Sequence, residues 1–223
     1  MNNSVLVVAA HPDDEVLGCG GTIIKHVEHG DEINLLFMTD GASSRPDTSD
    51  ENIKERLKAS KLAKTVLGVK SVKYLNFPDN AMDSIPLLNI IKKIELLINK
   101  LKPSIIYTHH FGDLNVDHQL TNDAVMTACR PTPNSTVREI YGFEVLSNTE
   151  WSNPKKANFN PTLFIDISKQ FRKKIKALKA YSSEMKSTPH SRSIKHVEVL
   201  AQHRGYSIGN DKSEAFEVYR ILR

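Results

Sequence analysis

An uninterrupted apolar run over residues 4–10 (SVLVVAA) reads as a β-strand buried on both faces, because a half-exposed strand would alternate apolar and polar positions. It breaks off in the polar cluster HPDDEVLGCGG, and the apolar spacing over 21–29 then predicts a helix closed by Gly30. A second strand over 32–39, the polar stretch DGASSRPDTSDE and a helix over 52–67 stopped by Gly68 follow. The alternation continues with a short strand over 72–75, a helix over 85–101 ahead of Pro103, an apolar strand over 104–108 and a helix over 119–129. Strand and helix alternating at this length predict an α/β fold in which a parallel sheet is covered by helices on both faces. Such sheets bind ligands just beyond the carboxyl ends of their strands. Both polar clusters, the one after the first strand and HHFGDLNVDH after the strand over 104–108, fall there.

The last third is less regular. Strands over 140–145 and 163–167, helices over 168–181 and 194–203, and a weakly alternating segment over 215–221 are expected to complete the far edge of the sheet. The region from about 146 to 223 is expected to wall the pocket within a single domain spanning 1–223.

Composition agrees with that organisation. A chain of 223 residues, 39% hydrophobic and 25% charged, can bury about 70% of the surface its unfolded form exposes. There is no Gly/Ser- or Pro-rich linker and no tandem repeat, which excludes solenoids. No run approaches 18 apolar residues, and the polar start lacks the form of a signal peptide, so a cytoplasmic protein without a membrane span is expected. Cys19 and Cys129 lack the spacing of a disulfide framework or a thiolate zinc site.

The net charge of +4 is unevenly placed: residues 1–50 hold nine acids against two bases, and residues 169–204 hold ten bases against two acids. One reading makes Arg172, Lys173, Lys174, Lys176 and Lys179 the wet face of a helix; the other makes the basic stretch a positive rim suited to an anionic substrate. Nucleic acid is not expected as a partner, since no RNA- or DNA-binding motif is present and the basic run lacks interleaved aromatics.

His11, Asp13, Asp14 and Glu15 crowd five positions at the end of the first strand, where three acids repel one another unless a cation or donors relieve them. His11 and Asp14, three apart across Pro12, can turn an imidazole and a carboxylate to one point. His118 can supply a third ligand from the other cluster, with Asp117 or Asn115 behind the ligands. Three such ligands with an open position describe a catalytic zinc or similar divalent site; a magnesium and phosphate site is the alternative. Asp13, beside the ligand Asp14, is the candidate base for a metal-activated water. No G-x-S-x-G elbow is present, and GCGG does not match the dinucleotide fingerprint.

VVAAHPDDEVLGCGG, the strand ending in MTDG, the Arg56 helix ending in LGV, and DLNVDH together resemble the LmbE-like or PIG-L superfamily of zinc-dependent N-acetylglucosaminyl de-N-acetylases, in order along nearly the whole chain. The resemblance implies a Rossmann-like three-layer sandwich, a mostly parallel sheet between helices. It also implies Zn2+, or another divalent metal, on His11, Asp14 and His118, with Asp13 as general base and Arg56 against the sugar. The implied substrate is a small N-acetylated sugar or conjugate, anionic conjugates among them. One departure stands out: many members carry H-P-D-H where this chain reads N-V-D-H, which puts Asn115 in place of a histidine. An amide can hydrogen-bond a substrate but cannot deliver a proton near pH 7. The acid role then falls to Asp13 after it has taken the water's proton, or to His109, His110 or His190.

The block YSSEMKSTPHSRS resembles the tails of sugar-modifying bacterial members and points to His190 and Arg192 as substrate contacts; its plain reading is a helix end and a turn. Trp151, Tyr141 and Phe143 are candidate faces for a sugar ring, and the last two are equally candidates for the core. The competing functions are hydrolysis of a non-sugar amide or ester at the same metal and, disfavoured by the intact cluster, a sugar-binding domain without turnover.

Overall fold

The computed structural model describes residues 2–223. Its strands are β1 (Ser4–Ala9), β2 (Glu32–Phe37), β3 (Ser71–Tyr74), β4 (Ile105–His109), β5 (Glu139–Phe143), β6 (Leu163–Asp166) and β7 (Ser213–Ile221). Its helices are α1 (Asp14–Glu28), α2 (Asp50–Leu67), α3 (Leu87–Leu101), α4 (Val116–Ala128), α5 (Phe171–Ala180) and α6 (Ile194–Tyr206). The strands form one sheet in the order β3-β2-β1-β4-β5-β7-β6. The first five in that order are mutually parallel, and β7 runs antiparallel between β5 and β6. This is the expected α/β, Rossmann-like three-layer architecture with a mostly parallel sheet.

The continuous apolar runs are explained by burial on both faces. Val5, Val7, Ala9, Ile33, Leu35 and Phe37 pack into one core with α1, α2 and α5, whereas Leu6, Val8, Leu36 and Met38 pack into a second with α3 and α4. Local chemistry sets the helix ends. A Ser49–Asn52 capping box opens α2, Gly68 at φ 82° closes it, and the Asn115 side chain caps α4.

Two helix starts lie three or more residues upstream of the expected positions. The helix expected over 21–29 begins at Asp14, so the acidic cluster forms its first turn; the helix is interrupted at Cys19, where φ is −142°. Glycine allows the unusually close packing of this segment: a Cβ at Gly21 would lie 2.7 Å from Ile167, and one at Gly18 would collide with the Phe143 ring. The interruption frees amide donors, and Glu214 accepts the N–H groups of Gly21 and Thr22 at 2.8 and 2.7 Å. Likewise α4 begins at Val116 rather than 119, which places Asp117 and His118 in its first turn.

The chain builds outward from β1 through β2 to β3, then crosses back to place β4 on the other side of β1. The crevice beyond β1 and β4 is therefore the point where strand order reverses, the usual ligand site of such sheets.

Candidate active site

His11 leaves the end of β1, Asp14 opens α1, and His118 sits in the first turn of α4, reached from the end of β4. All three are buried. His11 Nδ1 lies 3.2 Å from Asp14 Oδ2 and 3.2 Å from His118 Nε2, and His118 Nε2 lies 3.3 Å from Asp14 Oδ2. A tetrahedral ion at about 2.0–2.2 Å from its ligands separates them by about 3.3–3.6 Å, so this triangle is close to the right size for one face of such a site.

The electrostatics agree with the geometry. Burial disfavours charge on His11, but hydrogen bonds to Asp117 and Asp14 outweigh it and raise its pKa to about 9. His118 is raised to about 10, burial again opposing and the charges of Asp14 and Asp113 prevailing. Burial raises the Asp14 carboxyl, yet the His118 charge and the histidine hydrogen bonds hold it well below its usual range. The cluster is thus built to hold positive charge, and the donor set fits a divalent cation; His11, Asp14 and His118 would hold it.

Behind the triangle stand carboxylates that orient the rings. His11 Nε2 faces Asp117 Oδ2 at 3.2 Å and Asp79 Oδ1 at 3.3 Å. Asp117 also accepts the N–H groups of Asn80 and Met82, and Asp113 Oδ1 lies 3.2 Å from His118 Nδ1. The sequence reading had Asp117 in this layer but missed Asp79 and Asp113. Each is an acid just past a strand end, a signal visible in FPDN and FGDL.

Asp13 is buried at a positive φ of 118°, and its backbone N–H donates to Glu15 Oε2. Its Oδ2 receives Arg192 Nη1 at 3.0 Å and faces Arg56 Nη2 at 3.3 Å, while Oδ1 has no hydrogen-bond partner. Glu184 pairs with both Arg56 and Arg45, and the Arg56 guanidinium lies over the Tyr181 ring. Arg56 and Arg192, expected on the substrate, therefore hold the candidate base. They also line a cavity of ≈ 180 Å³ together with His11, Asp13, Asp14 and Asn115.

The remaining candidates separate. Asn115 is tied into the cavity wall, Oδ1 accepting the Asp117 N–H and Nδ2 donating to Asn80. His109 stacks on His118 and accepts the Ala10 N–H at Nε2. Burial, then the His118 charge, pushes its pKa well down. His110 turns away to Glu217 at 2.6 Å. His190 is exposed beside Trp151, outside the residues that line the cavity. Tyr141 and Phe143 are core residues, and Cys19 is a buried thiol whose pKa burial raises further.

Of the two readings of the basic stretch, the rim is corrected, while Arg172, Lys176 and Lys179 are exposed on α5 as the other reading had it. Of the ten bases over 169–204, Arg192 alone lines the cavity. Packing of α5 on α1 and α2 turns Lys169, Arg172 and Lys179 toward a separate open hollow. Nor is Lys174 on a wet face: it is buried and bonded to Glu214 at 2.6 Å.

Comparison with known proteins matches this architecture. Residues 6–129, more than half of the chain, match the family model described as PIG-L, GlcNAc-PI de-N-acetylase. The chain is 31% identical over 185 residues to the uncharacterized deacetylase YaiS of Escherichia coli, covering 80% of this chain and 90% of that one. It is 26% identical over 188 residues to a probable N-acetyl-alpha-D-glucosaminyl L-malate deacetylase 2 of Bacillus anthracis, covering 81% and 80%. In fold it superposes on the N,N'-diacetylchitobiose deacetylase of Pyrococcus horikoshii with a TM-score of 0.79 at 22% identity, covering 98% of this chain and 84% of that one. Among the described residues no helix is long and apolar enough to cross a membrane. With its fold, its AHPDDE turn and its histidine–aspartate cluster in these positions, the chain belongs to the PIG-L and LmbE-like deacetylase superfamily.

Proposed function

We propose that this protein is a zinc-dependent hydrolase that removes the N-acetyl group from an amino sugar or an amino-sugar conjugate. The observation that carries the reading is Asp13: it lines the same cavity as His11 and Asp14, and its buried Oδ1 has no hydrogen-bond partner. Family membership supports deacetylase chemistry, and the amino sugar follows the names of the relatives and the polar wall of arginines and asparagines, which suits a hydroxyl-rich ligand.

Zinc, or another divalent ion, held by His11, Asp14 and His118 would supply an acidified water and a polarised acetyl carbonyl. Asp13 takes the proton of the attacking water on its carboxylate. Arg56 and Arg192 hold Oδ2 in place. Asn115 is an amide, His109 Nε2 already accepts the Ala10 N–H, and His110 faces Glu217. Asp13 therefore returns its proton to the nitrogen as the C–N bond breaks, releasing acetate and the free amine.

The test is acetate release from N-acetylated sugars, free, phosphorylated and nucleotide-linked, with zinc supplied and after chelation. Zinc-dependent release from at least one is expected; none from any of them by zinc-loaded protein would overturn the reading. Arg45, Arg56 and Arg192 already face Asp13 and Glu184, so an anionic group must displace an existing pair to bind them. Preference for a phosphorylated substrate should therefore be modest and shrink with salt.

A further inference from the structure

Trp151 is the chain's single tryptophan, and it stands 51% exposed on a turn that the fold holds in place. Its backbone N–H donates to the carbonyl of Asn148, which lines the cavity. The indole meets the His190 ring edge-on, 5.6 Å between centroids. His190 Nδ1 in turn accepts the backbone N–H of Arg192, whose guanidinium binds Asp13. The turn is also tied to the strand-end loop that precedes α4: Thr149 Oγ1 donates to Asp113 Oδ2 at 2.8 Å, and the Ser152 hydroxyl donates to the Gly112 carbonyl. A large apolar ring is thus left open to solvent on an ordered support at the edge of the site.

The size of the cavity gives that ring a use. At ≈ 180 Å³ it is smaller than the roughly 300–1,000 Å³ of pockets that enclose a whole ligand, so a conjugate must extend over the rim. An indole face offers apolar area to the C–H face of a pyranose, and with only two side-chain torsions it loses little entropy in doing so.

We propose that Trp151 forms a second subsite outside the cavity, on which a further sugar ring stacks, so that the preferred substrate is an N-acetylated disaccharide or longer glycoside rather than the free monosaccharide. What occupies the cavity rests on the deacetylase reading; the stacking does not require turnover.

Because there is one tryptophan, its emission reports the stack directly. Chelator-treated wild-type protein and zinc-loaded Asp13→Asn protein are titrated with N-acetylglucosamine and with N,N'-diacetylchitobiose. The disaccharide is expected to shift or quench the emission at concentrations about tenfold below those at which the monosaccharide acts. In zinc-loaded enzyme, Trp151→Ala is expected to lower the ratio of kcat/KM for disaccharide over monosaccharide about tenfold, the size of one aromatic contact, and Trp151→Phe to retain most of it. Equal emission responses to the two sugars, no response to either, or an unmoved ratio in Trp151→Ala overturns the subsite. Emission that responds to the disaccharide while loaded enzyme releases no acetate from either sugar supports the subsite and refutes the deacetylase reading. Acetate released equally from both with silent emission does the reverse.

Discussion

Asp13→Asn removes the proton-accepting oxygen and keeps the shape of the side chain. In the wild-type fold Oδ2 lies 3.0 Å from Arg192 and 3.3 Å from Arg56, and Oδ1 has no partner. Two guanidiniums offer only donors, so the amide oxygen takes the Oδ2 position and the amide NH2 turns to where Oδ1 was, where it cannot accept a proton. Asparagine tolerates positive φ, whereas alanine at φ 118° would add backbone strain to the lost carboxylate. Arg56 keeps Glu184 and Arg192 keeps Ser147, so neither guanidinium is stranded. Loss of general acid–base help is expected to lower kcat about 100- to 10,000-fold, or about 2.7–5.4 kcal/mol at 1.36 kcal/mol per decade. Because His11, Asp14 and His118 are untouched, zinc content should remain at the wild-type level. The assay pairs acetate release with metal analysis and a thermal melt of the same preparation. Near wild-type turnover across about pH 6 to 9 would refute the assignment of Asp13 as base. Loss of zinc together with activity would refute the separation of proton transfer from metal binding.

His118→Ala should lose zinc affinity and activity together, measured by competition with a chromogenic chelator, because it removes one corner of the triangle. Lys174→Met leaves the buried Glu214 carboxylate without its cation, held only by the Gly21 and Thr22 N–H groups, and should cost about 3–5 kcal/mol by urea unfolding. The His110–Glu217 pair should give a stability window. Burial works against both charges, but the mutual hydrogen bond raises the His110 pKa and lowers that of Glu217. A raised histidine contributes fully below its unfolded pKa of about 6.5 and a lowered glutamate above about 4.3. The advantage of wild type over His110→Gln should therefore peak between those values. It should fade as pH rises through the raised His110 pKa or falls through the lowered Glu217 pKa, and a pH-independent difference in urea midpoint would count against it.

The alternation of uninterrupted apolar runs with helical periods determined the α/β class, since a strand buried on both faces has no polar positions to alternate. Placement of both polar clusters at strand ends likewise followed from the sequence, because an apolar strand must stop where its backbone meets water. Convergence of His11, Asp14 and His118 depended on strand order: 107 residues separate the two histidines, and only the crossover that sets β4 beside β1 brings Nδ1 and Nε2 to 3.2 Å. Roles within the site were likewise a tertiary matter. Arg56 and Arg192 were expected on the substrate, and the packing of α2 and of the segment before α6 turned both onto Asp13. The basic helix shows the opposite case, since charge counted along the chain carries no direction. Its apolar face had to be buried against α1 and α2, and that requirement carried Lys169, Arg172 and Lys179 away from the cavity and sank Lys174 onto Glu214.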